Sequence, residues 1–177
     1  ALGQIDHPRS QQTLIARISE LEDMLTTKGE ELHNPTEIQS LLDTAIKALV
    51  RFKSSEGREC VVNHGLKRRP ELGDTLARLA LLGNQNLSDD RPAVNRILKA
   101  LEAELPMKVL GMSVKTSRKN QNLEYMIESL SSTDTPVVRR AYEKIIRKYS
   151  GEKFANAAAK ALTHLASKSE SEDVVET

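Results

Sequence analysis

Apolar residues return at spacings of three and four in one segment of the chain after another, and strand-like alternation is scarce. Leu14, Ile18, Leu21 and Leu25 step along a single helical face. Val94, Ile97, Leu98, Leu101 and Leu105 do the same, as do Val138, Ala141, Tyr142, Ile145 and Tyr149. Helix-start and helix-stop residues divide these runs. The pattern predicts an all-α chain: a compact bundle of about seven to eight short helices, with HEAT-like packing as the alternative arrangement.

The punctuation places the elements. A first helix is expected after Ser10. Asn34 can cap a second, with Pro35 at its first position and Glu37 at its third. Its buried stripe reads Ile38, Leu41, Leu42, Ala45, Leu49 and Phe52, ended by "SSEG". "RECVVNHG" reads as a short helix stopped by Gly65. "KRRPELGDTLARLALLG" reads as a helix opened by Pro70 and closed by Gly83, apolar around most of its circumference and therefore central. Asp90 caps the next helix, which Pro106 breaks. "MKVLGMSVKTSRK" is expected to be a short helix running into a polar loop. Leu123, Met126, Ile127 and Leu130 face inward from the following helix, and Ala157, Ala158, Ala161, Leu162 and Leu165 suit a close contact by the last.

The resulting organisation is a flexible N-terminus (1–9), a helical hairpin extension (10–65), a helical bundle domain (66–166) and a disordered acidic, Ser-rich tail (167–177). The opening "ALGQIDHPRS" lacks the basic and apolar regions of a signal peptide and reads as a cut rather than a native start. Two helix starts share D-x-P-x-V-x-R, at positions 90 and 134, an interval of forty-four residues within the HEAT and armadillo range. Cap, early proline and first core valine are ordinary helix-start chemistry, and two copies fall short of an array.

Chemistry is sparse. The histidines His7, His33, His64 and His164 are scattered, with no H-x-x-x-H and no C-x-x-C, so zinc has no support. Cys60 and His64 stand at i and i+4, but nothing nearby supplies an orienting group or an oxyanion site. No phosphate-binding glycine loop or nucleophile elbow is present. The chain reads as non-enzymatic, without metal or cofactor. One cysteine cannot form an internal disulfide, which fits a reducing intracellular compartment. The longest apolar runs fall far short of a membrane span.

Lys and Arg number 26 against 25 Asp and Glu, so no long-range polyanion signal exists; aromatics are 3 %, so base-stacking platforms are scarce. Two local basic clusters remain. Lys67, Arg68 and Arg69 form one; Arg139, Arg140, Lys144, Arg147 and Lys148 form the other, opposite the apolar stripe of their helix. Both are candidate phosphate contacts. Cations near a helix C-terminus also favour the macrodipole, by about 0.3–1 kcal/mol each, and this structural reading ranks first.

The order of features from Asp90 to Gly151 resembles the N-terminal domain of transcription elongation factor S and its relatives, including LEDGF-type integrase-binding domains. "VNRILKALEAELPMKVLGM" follows that family's Leu-rich helix and the turn after it. "VRRAYEKIIRKY" follows its final helix, with Tyr149 where Trp is usual and Tyr142 where a small residue is usual. The likeness covers residues 67–166 if the flanking helices belong, and it departs from the pattern at "SVKTSRKNQN". It implies a helical bundle of a transcription elongation or chromatin factor that captures short linear motifs of disordered partners near interhelical loops, in the nucleus. Carried over, Asp90 matches the acidic residue that accepts backbone hydrogen bonds from partners, and Ser132 stands where those domains offer Phe. Leu87, Arg91, Ser131 and Asp134 would line the same rim. A helical nucleic-acid-binding protein and a HEAT-like scaffold of an unrelated pathway are the alternatives, with self-association through the first helix left open.

Overall fold

The structure is a computed structural model that describes residues 8–27, 34–67, 75–106, 108–109, 112–113 and 117–173. The chain divides into two compact units, Ala1–Leu82 and Gly83–Thr177. The division falls later than the one expected after residue 65. Among the described residues the chain forms eight α-helices, so the all-α expectation holds.

The first unit contains α1 (Pro8–Thr27), α2 (Pro35–Val50), α3 (Ser55–Leu66) and α4 (Thr75–Leu79). α1 packs on α2, and α3 on both α2 and α4. The α1 stripe is buried as the spacing requires: Leu14, Ile18, Leu21 and Leu25. Asn34 caps α2, its Oδ1 accepting from the Glu37 backbone N–H at 3.3 Å. The inward face of α2 is rotated from the expected one. Ile46 is fully buried, whereas Leu41 is 47 % exposed; at about 100° per residue Leu41 falls roughly 85° from the centre of the buried set.

Two expectations in this unit are corrected. "SSEG" does not simply end α2 but starts α3, since Ser54 Oγ accepts from the Gly57 N–H at 3.0 Å as the N-cap. Gly65 does not stop α3, which runs on to Leu66. A Cβ at Gly65 would lie 2.8 Å from Leu79 Cβ, so the glycine is there to let α3 and α4 approach. The proposed helix start at Pro70 lies outside the described residues; from Thr75 onward α4 passes into a 3-10 turn, Ala80–Asn84.

The second unit contains α5 (Arg91–Glu104), a small antiparallel pair β1 (Lys108–Val109) and β2 (Met112–Ser113), α6 (Ser117–Ser129), α7 (Pro136–Lys148) and α8 (Lys153–Asp173). The pair replaces the short helix expected at "MKVLGMSVKTSRK", with Val109 opposite Met112 and Lys108 opposite Ser113. α8 packs on α6 and α7, and α5 packs on α6. Val94, Ile97, Leu98, Leu101, Leu123, Met126, Ile127 and Leu130 are buried with Val138, Ile145, Ala158, Ala161 and Leu165. The backbone of α8 is helical as far as Asp173; residues 174–177 of the acidic tail lie outside the described residues.

Tyr142 and Tyr149 complete this core. The Tyr142 hydroxyl donates to the Ile127 carbonyl at 2.8 Å, and the Tyr149 hydroxyl donates to the Pro106 carbonyl at 2.8 Å. Tyr149 also packs on Phe154, with ring centroids 5.4 Å apart. Each large ring is therefore buried without orphaning its hydroxyl.

The two D-x-P-x-V-x-R starts are not equivalent. Asp90 is the N-cap of α5, its Oδ1 accepting from the Ala93 N–H at 3.2 Å, with Pro92 one position later than the first. α7 is capped instead by Thr135, whose Oγ1 accepts from the Val138 N–H at 3.3 Å, so Pro136 is the first helical residue. Asp134 lies outside the helix and holds Arg139 through two hydrogen bonds of 2.6 and 2.7 Å. The motifs are thus offset by one residue, about 100° of helix. They share helix-start chemistry and not a repeating unit. Thr135→Ala is expected to lower the stability of the second unit by about 1 kcal/mol, measured by urea denaturation; Thr135→Ser should restore most of the loss.

Candidate functional site

The outward sides of α5 and α7 face a groove whose upper end is built by the loops that introduce the two helices. The Leu87 N–H donates to Thr133 Oγ1 at 3.1 Å. Ser131 Oγ donates to the Gly83 carbonyl at 3.3 Å, while the Ser88 hydroxyl, 3.3 Å from the Asp134 carbonyl, gives its one proton to Asn86 Oδ1 at 2.6 Å. The Thr133 and Ser131 bonds lace the 83–90 segment to the 131–134 segment and fix where α5 and α7 begin.

Below the laced loops lies an open cavity of about 330 Å³, lined by Ser88, Arg91, Val94 and Asn95 on one side and by Thr135, Pro136 and Val137 on the other. A second cavity of about 380 Å³ continues from it, sharing Asn95 and Val137 and adding Leu98, Lys99, Glu102, Arg140, Ala141 and Lys144. Val137 follows from the helical period. Its neighbour Val138 is buried in the core, so the next position, about 100° round, points outward. At 54 % exposure Val137 is a large apolar side chain presented to solvent at the junction of the two cavities.

The residues expected at a partner-binding rim are distributed unevenly. Arg91 is exposed and lines the upper cavity. Leu87 is fully buried and belongs to the core, not the rim. Asp90 is 6 % exposed, with its carboxylate engaged in capping α5. Ser131 and Ser132 are half-buried in the α6–α7 loop, and Asp134 is exposed and paired with Arg139. No site reading follows from the sequence for the lining residues Ser88, Asn95, Lys99, Glu102, Val137 and Ala141; a second valine beside the core valine of α7 is the one signal, and it marks Val137 alone.

The basic clusters resolve into separate local roles. Lys67 is bonded to Glu22, and Arg68 and Arg69 lie outside the described residues. Arg139 is held by Asp134. Arg140 and Lys144 line the lower cavity, with Lys144 Nζ 3.2 Å from Glu102 across it. Lys148 lies 5.3 Å from the centre of the Tyr149 ring, and Arg147 is exposed.

The first unit carries a different cluster. Glu22 of α1 is buried, with one carboxylate oxygen accepting from His64 Nδ1 and the other from Lys67 Nζ. Burial alone would raise the Glu22 carboxyl; the hydrogen bonds from His64 and Lys67, with their charge, hold it below its ordinary value. His64 is 1 % exposed, and its Nε2 has no hydrogen-bond partner. Cys60 is not activated by this neighbourhood: burial, then the Glu22 charge, pushes its thiol up to about 11. At mildly alkaline pH the folded chain is expected to react with a thiol reagent about a hundredfold more slowly than the urea-unfolded chain; equal rates would refute the raised thiol. Among the described residues, no three His, Cys, Asp or Glu side chains converge to hold a metal, and no helix is long and apolar enough to cross a membrane.

Comparison with protein-family models, with curated proteins and with solved structures found no match.

Proposed function

We propose that this chain is a non-enzymatic protein-interaction module of a transcription elongation or chromatin-associated factor, and that its second unit captures short linear motifs of disordered partners in the α5–α7 groove. The observation that carries the reading is the groove itself, with solvent-exposed Val137 between two contiguous open cavities and hydrogen-bonded loops closing one end. A groove formed in advance need not be ordered on binding, so the partner's own ordering entropy dominates the cost and affinities are moderate. The transcription and nuclear assignment rests on the order of features from Asp90 to Gly151 and on their likeness to the elongation-factor domain.

Val137→Asp is the informative variant. The side chain is exposed, so helicity should be unchanged, while capture of peptides tiled from disordered regions of transcription and chromatin factors should fall about tenfold or more. Undiminished capture by this variant would refute the groove as the docking site. Asp90→Lys is less informative, because it removes the α5 cap and places a charge at a buried position. The second reading, phosphate binding by α7, draws on exposed Arg140, Lys144, Arg147 and Lys148. It predicts a steep loss of oligonucleotide affinity with rising salt, which a gel-shift titration measures.

A further inference from the structure

We infer that the occupant of the α5–α7 groove is an acidic segment with an aliphatic anchor, lying lengthwise between the two helices with its anchor at the laced-loop end. This rests on the reading of the groove as a docking site and adds the chemistry and direction of what it takes.

The two ends of the groove differ. At the upper end Val94, Pro136 and Val137 form a wall that suits a small aliphatic side chain, beside the polar Ser88, Asn95 and Thr135 and a single cation, Arg91. At the lower end the walls carry Lys99 from α5 and Arg140 and Lys144 from α7. The only carboxylate lining either cavity is Glu102, and its ion pair with Lys144 is exposed, with side chains 62 % and 56 % accessible. Such a pair is worth about 0–1 kcal/mol, so an incoming carboxylate exchanges with it at little cost. The positive character is local, because the whole chain carries a net charge of only +1. Nothing general about the chain would draw acidic ligands to this groove; the placement of Lys99, Arg140 and Lys144 does.

Spacing sets the pattern of the ligand. From Val94 to Lys99 is five residues of α5, roughly 7.5 Å at 1.5 Å per residue, which an extended chain spans in about two residues. Acidic side chains should therefore begin about two positions from the anchor. A nucleic acid fits less well. No aromatic side chain lines either cavity to stack a base, and Leu98 and Ala141 add apolar surface to the cavity that holds the cations, which a phosphate backbone would not match.

The test is selection from a display library of randomised short peptides on the folded chain, followed by fluorescence anisotropy with the selected peptides and with a single-stranded oligonucleotide. Enrichment of Asp and Glu about two positions from an aliphatic residue is expected. The Arg140→Glu, Lys144→Glu double variant, with helicity checked by circular dichroism, should bind those peptides about tenfold more weakly. Lys-substituted versions of the same peptides should regain affinity for that variant. Selected peptides that lack acidic residues, are indifferent to charge reversal and lose binding in Val137→Asp would overturn the acidic chemistry while leaving the docking groove standing. Failure to select any peptide, with oligonucleotide binding that falls steeply with salt, would overturn both.

Discussion

Glu22→Ala is expected to destabilise the first unit by about 3 kcal/mol or more. The loss arises because one carboxylate serves two partners: His64 Nδ1 and Lys67 Nζ both donate to it, and His64 is sealed from water. Removing the carboxylate leaves a buried imidazole with neither ring nitrogen satisfied, since Nε2 already lacks a partner. Amide hydrogen exchange along α1 and α3 measures the effect directly. Acid should act in the same direction. A carboxyl held below its ordinary value in the folded state contributes stability that is complete above that value and lost as pH falls through the folded one. The wild type should therefore lose stability below the ordinary carboxylate range, and Glu22→Gln should flatten that acid arm. Replacing the pair together, as Glu22→Met with His64→Leu, should recover much of the loss, because two buried hydrogen-bonded partners exchanged together for apolar groups of similar size can be nearly neutral. A double variant no more stable than Glu22→Ala would show that this cluster is worth more than its parts.

Gly83→Ala should be comparably damaging to the second unit, about 3 kcal/mol or more. The cause is a backbone contact: a Cβ at Gly83 would sit 2.2 Å from the Glu128 carbonyl oxygen, and 3.0 Å from Ser131 Oγ. A side chain in the way can rotate, but this carbonyl cannot move freely. It already accepts from the Ser131 N–H at 3.1 Å where α6 ends. Relief requires the 3-10 turn and the end of α6 to separate, which also strains the Ser131 bond to Gly83. All three tyrosines, Tyr125, Tyr142 and Tyr149, belong to the second unit, so intrinsic tyrosine fluorescence during urea titration follows the affected half. A wild-type midpoint for Gly83→Ala would show that the turn yields more easily than the contact implies.

Much of the fold was legible because periodicity is a statement about faces. The stripes of α1, α5, α6 and α7 were read from spacing, and their members at Leu14, Ile97, Leu123 and Tyr142 are buried. Glycine was the main source of error. Gly65 and "SSEG" read as helix ends, yet one is a close-approach residue inside α3 and the other supplies the α3 N-cap, Ser54; local sequence cannot distinguish a glycine that terminates a helix from one that admits a neighbour. The antiparallel pairing of Val109 with Met112 leaves no signal in the sequence, because two-residue strands show no alternation. At the candidate site the sequence places the loops that introduce α5 and α7 but not which side chains line the cavities below them. Asp90 is legible in sequence as the cap of α5, which it is, but a capping carboxylate and a binding carboxylate read alike. Lys67 and Glu22, forty-five positions apart, had no local pattern to link them.

The lacing of the two loops has a consequence for how binding preference can change. Because Thr133 holds Leu87 and Ser131 holds Gly83, the width of the groove mouth is governed by side chains behind it. Loosening one of these bonds shifts the start of α5 against the start of α7 and reshapes the opening without altering any wall residue. Selection on partner preference can therefore act through positions that no partner touches, and homologues that differ at Thr133 or Ser131 should differ in ligand choice even where Arg91, Val137 and Arg140 are identical.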